Sequence, residues 1–99
     1  MASDPEVLEA LRGVVDPEVG VNIVDLGLVY RAERTAAAIE VAVTLTTRAC
    51  PLGEMMLEET RAALMLHFPE VPRIATQLVW EPPWTPGMMS PQARQQLGN

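Results

Sequence analysis

Two hydrophobic patterns of different period meet without a linker near the middle of this chain. Residues 39 to 47, IEVAVTLTT, alternate between apolar and polar side chains, and this period of two predicts a strand. Residues 51 to 68, PLGEMMLEETRAALMLHF, place apolar side chains at helical spacing until Pro69 ends the pattern. A short run at 73–80, RIATQLVW, predicts a strand again. A strand, a helix and a strand in succession predict a parallel pair of strands joined by a right-handed crossover.

The rest of the chain supplies further elements on either side of this unit. The segment SDPEVLEALRGVV begins a helix with Ser3 or Asp4 as the capping residue and Pro5 at the first helical position. The stretch LVYRAER predicts a strand that pairs with the next one as a hairpin, and Ser90 begins a short terminal helix. We therefore predict one domain over residues 1–99 with an α+β fold. A small mixed β-sheet packs against helices in the order α-β-β-α-β-(short α).

Composition excludes several classes of function. The net charge is −6, and the seven basic residues, all arginine, are scattered along the chain. Binding to nucleic acid needs clustered positive charge, so we expect no nucleic-acid partner. No apolar stretch approaches the roughly 20 residues that span a bilayer, so we expect no membrane partner. A single cysteine and the absence of a basic, apolar leader favour a cytoplasmic protein.

The single cysteine, Cys50, lies where the strand pattern stops and the helix pattern begins. Pro51 suits the first helical position, which makes Cys50 the predicted N-cap residue. Unpaired backbone N–H groups and the helix dipole stabilise a thiolate there, by about 0.3–1 kcal/mol at an exposed site. That is less than one pKa unit, so we expect a somewhat activated thiol and not a strong nucleophile. Gly53 would leave the first turn open to a ligand.

The residues around Cys50 leave its role open between a functional thiol and a buried structural cysteine. The only histidine, His67, is about 25 Å away along the predicted helix, which disfavours a Cys–His dyad. We interpret His67 as a helix-end residue bonded to a carbonyl. One cysteine and one histidine are too few ligands for a complete zinc or iron–sulfur site within one chain.

Other candidate residues have simple structural interpretations as well. Asp16, Glu18 and Asp25 are typical turn and capping residues. Thr46 and Thr47 end a strand, and their hydroxyl groups could orient a ligand at Cys50. The two tryptophans, Trp80 and Trp84, are interpreted as cover for the edge of the sheet.

Three segments carry a resemblance to a known family. In chain order they are VVDPEVGVNIVDLGLVY, VTLTTRACPLGEMM and VWEPPWTPGMMSPQARQQLG, and together they resemble the SufT/PaaD-like iron–sulfur cluster assembly domain, formerly a domain of unknown function. The resemblance implies the α+β fold shared with the C-terminal domain of NifU-like scaffolds. The family's segments fall on Thr46, Thr47 and Cys50, on Asp16, Pro17 and Glu18, and on Asp25, Leu26 and Gly27.

The resemblance implies an iron–sulfur cluster assembly or maturation factor that is not itself an enzyme. Cys50 would bind iron or a cluster transiently, with Thr46, Thr47, Asp16, Glu18 and Asp25 contributing to the same site. Scaffold or client proteins would be its partners, and a homodimer sharing the cluster is one expected arrangement. The alternatives are an adaptor subunit of an oxygenase or other metalloenzyme complex, with a structural cysteine, and a thiol enzyme, which the distant histidine disfavours.

Overall fold

The computed structural model describes residues 3–17, 19–46 and 53–97. Its elements, in chain order, are α1 (Pro5–Leu11), β1 (Val29–Arg34), β2 (Ala38–Val43), α2 (Gly53–His67), β3 (Arg73–Leu78), a 3₁₀ turn (Pro86–Met88) and α3 (Pro91–Gln96). This is the predicted order, with the 3₁₀ turn as an addition inside the proline-rich segment. No helix in these ranges is long and apolar enough to cross a membrane.

The sheet is mixed, as predicted, and β2 is its central strand. β1 pairs with β2 antiparallel and β3 pairs with β2 parallel, in the order β1-β2-β3. The parallel register runs without interruption from Ala38 opposite Arg73 to Val43 opposite Leu78. The carboxyl ends of β2 and β3 therefore lie side by side at one end of the sheet.

The first helix begins at a side-chain cap. Of the two predicted capping residues, Asp4 has this role, and its carboxylate accepts hydrogen bonds from the backbone N–H groups of Glu6 (2.9 Å) and Val7 (3.2 Å). Ser3 instead forms a bridge with Ala32 of β1, and the Asp4 N–H donates to the Ala32 carbonyl oxygen at 2.8 Å. The start of α1 is thus held against the sheet.

The core lies between the helices and one face of the sheet. α1 packs on α2 and on β1, and α2 packs on β3. The predicted inward face of the central strand, Ile39, Val41, Val43 and Leu45, is buried. Ala42 and Thr44, which alternation places on the opposite face, are buried too. Thr44 lies beside residues 80–84 of the segment after β3, with which it lines a cavity.

A β-bulge interrupts β1 between Val29 and Arg31. The extra residue, Tyr30, lines an open groove of the sheet together with Arg31, and its hydroxyl donates to the Pro82 carbonyl oxygen at 2.7 Å. Burial, and then the nearby carboxylate of Glu81, raise the pKa of the Tyr30 phenol above its ordinary value. The bulge thereby attaches the proline-rich segment to β1.

Candidate functional site

The carboxyl end of the parallel pair is the place where the chain leaves β2 toward Cys50. Hydrogen bonds continue past the ends of the strands: the Thr44 N–H donates to Leu28 O and the Val79 N–H donates to Val43 O, both at 2.8 Å. Ligands of open sheets with parallel strands generally bind outside the carboxyl ends of those strands. This end of the sheet is therefore the first region to consider as a binding site.

A cavity of about 160 Å³ lies at this end of the sheet. We call it the strand-end cavity; it is lined by Thr44, Leu45, Thr46, Trp80, Glu81, Pro83 and Trp84. Thr44 and Thr46 come from the end of β2, and the other polar lining groups come from the segment after β3. The cavity offers hydroxyl groups, one carboxylate and two indole rings to a small ligand or to an inserted side chain.

The wall of the strand-end cavity is fixed through Trp84. Its indole N–H donates to the Leu26 carbonyl oxygen at 2.7 Å, which ties the proline-rich segment to the Asp25-Leu26-Gly27 turn. Gly27 has φ +78°, and a Cβ built there would lie 2.8 Å from the Met88 Cβ and closer still to its carbonyl oxygen. Only glycine allows this close approach, so the turn and the segment pack backbone against backbone.

Asp25 has a structural role in the same turn. Its carboxylate accepts hydrogen bonds from Asn22 Nδ2 (2.7 Å) and Arg12 Nη1 (2.9 Å). Its own N–H donates to Asn22 Oδ1 at 2.9 Å, and its carbonyl oxygen accepts from the Ser90 N–H at 2.7 Å. The hydrogen bond from Asn22, followed by the one from Arg12, holds the pKa of Asp25 below its usual value, despite an opposing effect of burial. The predicted turn residue is confirmed.

Asp16 also belongs to a turn, and it is only 3% exposed. Its N–H donates to the Val21 carbonyl oxygen at 3.0 Å, and its own carbonyl oxygen accepts from the Gly20 N–H at 2.8 Å. Gly20 has φ +74°, a conformation that glycine adopts without strain. Neither Asp16 nor Asp25 lines the strand-end cavity.

The structure therefore brings one predicted site residue, Thr46, to the cavity. Glu18, Thr47 and Cys50 lie outside the described residues, and their assignment to the site stays a prediction, as does the helix start at Pro51. Among the residues in the described ranges, no three histidine, aspartate or glutamate side chains converge as a metal site.

Two further predictions from the sequence concern residues of α2, Gly53 and His67. Gly53 was expected to leave room for a ligand, but it is buried, and a Cβ built there would lie 3.2 Å from Leu78 Cδ2 and 3.5 Å from Leu45 Cδ1. Its missing side chain makes room for the core, so that expectation is wrong. His67 is confirmed as a helix-end residue, because its Nδ1 lies 3.0 Å from the Ala63 carbonyl oxygen.

Trp80, Glu81 and Trp84 are among the lining residues that sequence analysis did not assign to the site. Both tryptophans are half-buried against the core, which agrees with their interpretation as cover. The sequence contained a signal that the two tryptophans also line the strand-end cavity. They follow the last strand directly, and the carboxyl end of that strand must lie beside the end of β2 if the two strands are parallel.

Comparison with known proteins identifies the family. Residues 4–75 match the model of a family described as iron–sulfur cluster assembly protein. This chain belongs to that family. The match confirms the resemblance, and it covers the first two of the three sequence segments.

Similar proteins are found over nearly the whole chain. The chain is 42% identical over 93 residues to the Fe-S protein maturation auxiliary factor YitW of Bacillus subtilis, covering 93% of this chain and 90% of that protein. It is 40% identical over 86 residues to the Fe-S protein maturation auxiliary factor SufT of Staphylococcus aureus, covering 86% and 97%. The crystal structure of a domain of unknown function, DUF59, from Bacillus anthracis superposes with a TM-score of 0.89 at 35% identity, covering 95% and 90%. The predicted α+β fold is confirmed.

Proposed function

We propose that this protein is a maturation factor for iron–sulfur proteins that accepts iron or a cluster transiently through Cys50 and passes it to a client protein, without being an enzyme itself. The observation that carries the proposal is the strand-end cavity, which lies at the carboxyl end of β2 immediately before the Cys50 segment. The proposal is supported by relatives of nearly full length that are named as maturation auxiliary factors. We expect the protein to act in the cytoplasm.

Covalent spacing limits how far Cys50 can lie from the cavity. Thr46, which lines the cavity, precedes it by four residues, and Gly53, which packs against Leu45, follows it by three. At about 3.6 Å for each fully extended residue, three residues of chain span at most about 11 Å and four residues at most about 14 Å. These limits support a site in which the thiol and the cavity serve the same ligand.

Ligand number supports transient handling of a cargo. The chain has one cysteine, whereas clusters of the common types are held by four protein ligands, usually thiolates. The other ligands must then come from a scaffold or client protein, a small thiol or a second copy. A thiolate is a soft ligand suited to iron in such clusters. The hydroxyl of Thr46 and the carboxylate of Glu81 are available in the cavity to orient the cargo or its other ligands.

The two alternative functions receive less support. A thiol enzyme needs a base beside Cys50, but His67 ends a helix of 15 residues and contacts Ala63. An adaptor with a structural cysteine would act only through its docking surfaces. It remains the competing proposal for a direct experimental test.

The test is the substitution Cys50→Ser. Serine is a good helix cap, so the free energy of unfolding should change by less than about 1 kcal/mol. Binding of iron after anaerobic reconstitution with iron and sulfide should be lost, because a hydroxyl is a poor ligand for iron in this setting. Met65→Ser, at an exposed position of α2, is the control and should retain iron binding. Activity of iron–sulfur enzymes in a strain lacking the protein is the matching functional readout.

Full rescue by a stable Cys50→Ser protein would favour the adaptor and contradict cargo handling. Alkylation with iodoacetamide separates the same alternatives independently. A functional thiol should react in the folded protein with an apparent pKa below about 8.5, whereas a structural cysteine should react only after denaturation.

A further inference from the structure

No residue in the described ranges pairs with the outer edge of β3. None of its six residues is buried, in contrast to the neighbouring β2, where most are. Within the described ranges, the backbone groups of β3 have hydrogen-bond partners only in β2. An unpaired edge of this kind is a template for another strand.

One hydrogen bond shows which backbone N–H and C=O groups of β3 point away from β2. The Val79 N–H points toward β2, because it donates to the Val43 carbonyl oxygen. In a strand, the N–H and C=O groups of one residue point to the same side in the plane of the sheet, and those of the next residue point to the opposite side. The N–H and C=O groups of Ile74, Thr76 and Leu78 therefore point outward, to where a further strand would pair.

β3 also lacks the features that protect an edge strand. It contains no proline, its register with β2 has no bulge, and Arg73 at its start is its only charged residue. The opposite edge, on β1, has the bulge at Tyr30 and the bridge from Ser3. Edges without protection are avoided in proteins unless they are covered or used.

Two charges mark the ends of this open edge. Arg73 begins β3, and Glu81 lies three residues beyond its end at Leu78. Both are exposed, and neither forms an ion pair with another residue in the described ranges. The edge thus has a cation at one end, an anion at the other and neutral side chains between them.

We propose that β3 pairs antiparallel with β3 of a second copy of this chain, which extends the sheet to six strands. A two-fold axis at Gln77 would place Arg73 opposite Glu81 of the second copy and Ala75 opposite Val79 of the second copy. Thr76 would lie opposite Leu78 of the second copy, and both have outward N–H and C=O groups. A second copy matches this edge because an antiparallel two-fold pairing joins each unpaired charge to its opposite.

The proposed pairing does not rest on the proposed function, although it would engage Glu81, which also lines the strand-end cavity. The two β3 strands run in opposite directions, so their carboxyl ends point away from each other. Trp80 is three residues from the axis, which separates the two Trp80 positions by about 20 Å along the strands. Each copy would keep its own strand-end cavity. The dimer would therefore not join the two cavities into one site.

The experiment measures the dissociation constant of the full chain by sedimentation equilibrium. Arg73→Glu and Glu81→Arg should each raise it at least about tenfold, because each places like charges opposite one another twice per dimer. The double variant with both substitutions should return it to within about threefold of wild type, because the ion pairs are restored with reversed sign. Arg61→Glu, on α2, is the matched control and should leave it unchanged.

Thr76→Pro is the second variant. It removes an outward N–H but no hydrogen bond to β2, so the circular dichroism of the monomer should be retained while association is lost. A wild-type protein that stays monomeric at about 1 mM would overturn the proposal, since weak strand pairing should be populated by then. A dimer that survives both single charge reversals unchanged would overturn it too.

Discussion

The two outer strands of the sheet differ in their ion pairs: the arginines of β1 contact carboxylates, whereas the arginine of β3 contacts none among the described residues. On β1, Arg31 contacts Glu33 at 2.6 Å and Glu40 at 3.0 Å. Arg34 contacts Asp4 at 3.0 Å, and its guanidinium lies 4.9 Å from the centre of the Phe68 ring. On β3, Arg73 has no ion-pair partner within the described ranges.

This difference separates the part of the molecule that holds the fold together from the part that is available to other molecules. On the β1 side, the start of α1 bonds to Ala32 of β1. The turn at Asp25 bonds to Arg12 at the end of α1 and to the N–H of Ser90. The strand-end cavity and the open edge belong to the β3 side. Substitutions that test stability should therefore have their largest effects on the β1 side.

The largest loss of stability is expected for Gly27→Ala. A side chain at φ +78° costs about 1–3 kcal/mol by itself, and here its Cβ would also collide with the backbone of Met88. Gly20→Ala is the matched control, because Gly20 has nearly the same φ, +74°, but no atom lies within 4 Å of the position that its Cβ would take. Urea unfolding should show a clearly greater loss for Gly27→Ala. Equal losses would mean that the contact with Met88 contributes nothing.

The next effect is expected for Asp4→Ala, which removes the cap of α1 together with one of the two carboxylates that contact Arg34, the other being that of Glu6. Loss of an N-cap side chain costs about 0.5–2 kcal/mol. Asp4→Ser keeps a capping oxygen but not the charge, so it should lose less. The same unfolding measurement checks both variants. If Asp4→Ser lowers the free energy of unfolding as much as Asp4→Ala does, the ion pair and not the cap stabilises the start of α1.

A smaller change of opposite sign is expected on α2. Thr60 is fully buried, and its hydroxyl has no hydrogen-bond partner among the described residues. Thr60→Val keeps the shape and removes the unpaired polar group, so thermal unfolding should show a gain of up to about 1 kcal/mol. Thr60→Ser, which retains a hydroxyl and loses a methyl group, is the control and should be less stable than wild type. A clear loss of stability in Thr60→Val would contradict this expectation and would mean that the Thr60 hydroxyl has a hydrogen-bond partner.

The smallest effect concerns Asp25 and appears only in acid. Its pKa in the folded protein lies below the ordinary value of 3.8, chiefly because of the hydrogen bond from Asn22. The stability that this carboxylate contributes is fully present above about pH 4 and is lost as pH falls through the lowered pKa. Asp25→Asn should therefore flatten the decline of stability below pH 4. Met65→Ser, at an exposed position of α2, should follow the wild-type profile.

Much of the fold could be predicted because its signals are local. The alternation at 39–45, the helical spacing after Gly53 and the caps at Asp4 and Ser90 each depend on neighbours along the chain. The parallel pairing of β2 and β3 follows from the order of the elements. The family could be recognised from the sequence for the same reason, since each of its three segments is continuous along the chain.

The candidate site was only partly predictable, because its residues come from distant parts of the chain. Thr46 was proposed from a strand end, whereas Trp84 reaches the same cavity from 38 residues further along. Asp25 was grouped with the site through the resemblance, but its carboxylate is occupied by Arg12 and Asn22. Sequence spacing cannot show which hydrogen bonds a carboxylate makes across the fold.

The sequence by itself determined the elements, their order, the mixed sheet and the family, since each depends on a local pattern or on a continuous segment. Only the tertiary structure decided that Gly53 makes room for Leu78 and that Gly27 makes room for Met88. It also decided that the start of α1 bonds to the β1 edge of the sheet, whereas no described residue pairs with the β3 edge. The physical reason is that burial, close approach and strand pairing depend on residues far apart in sequence, which no local pattern records.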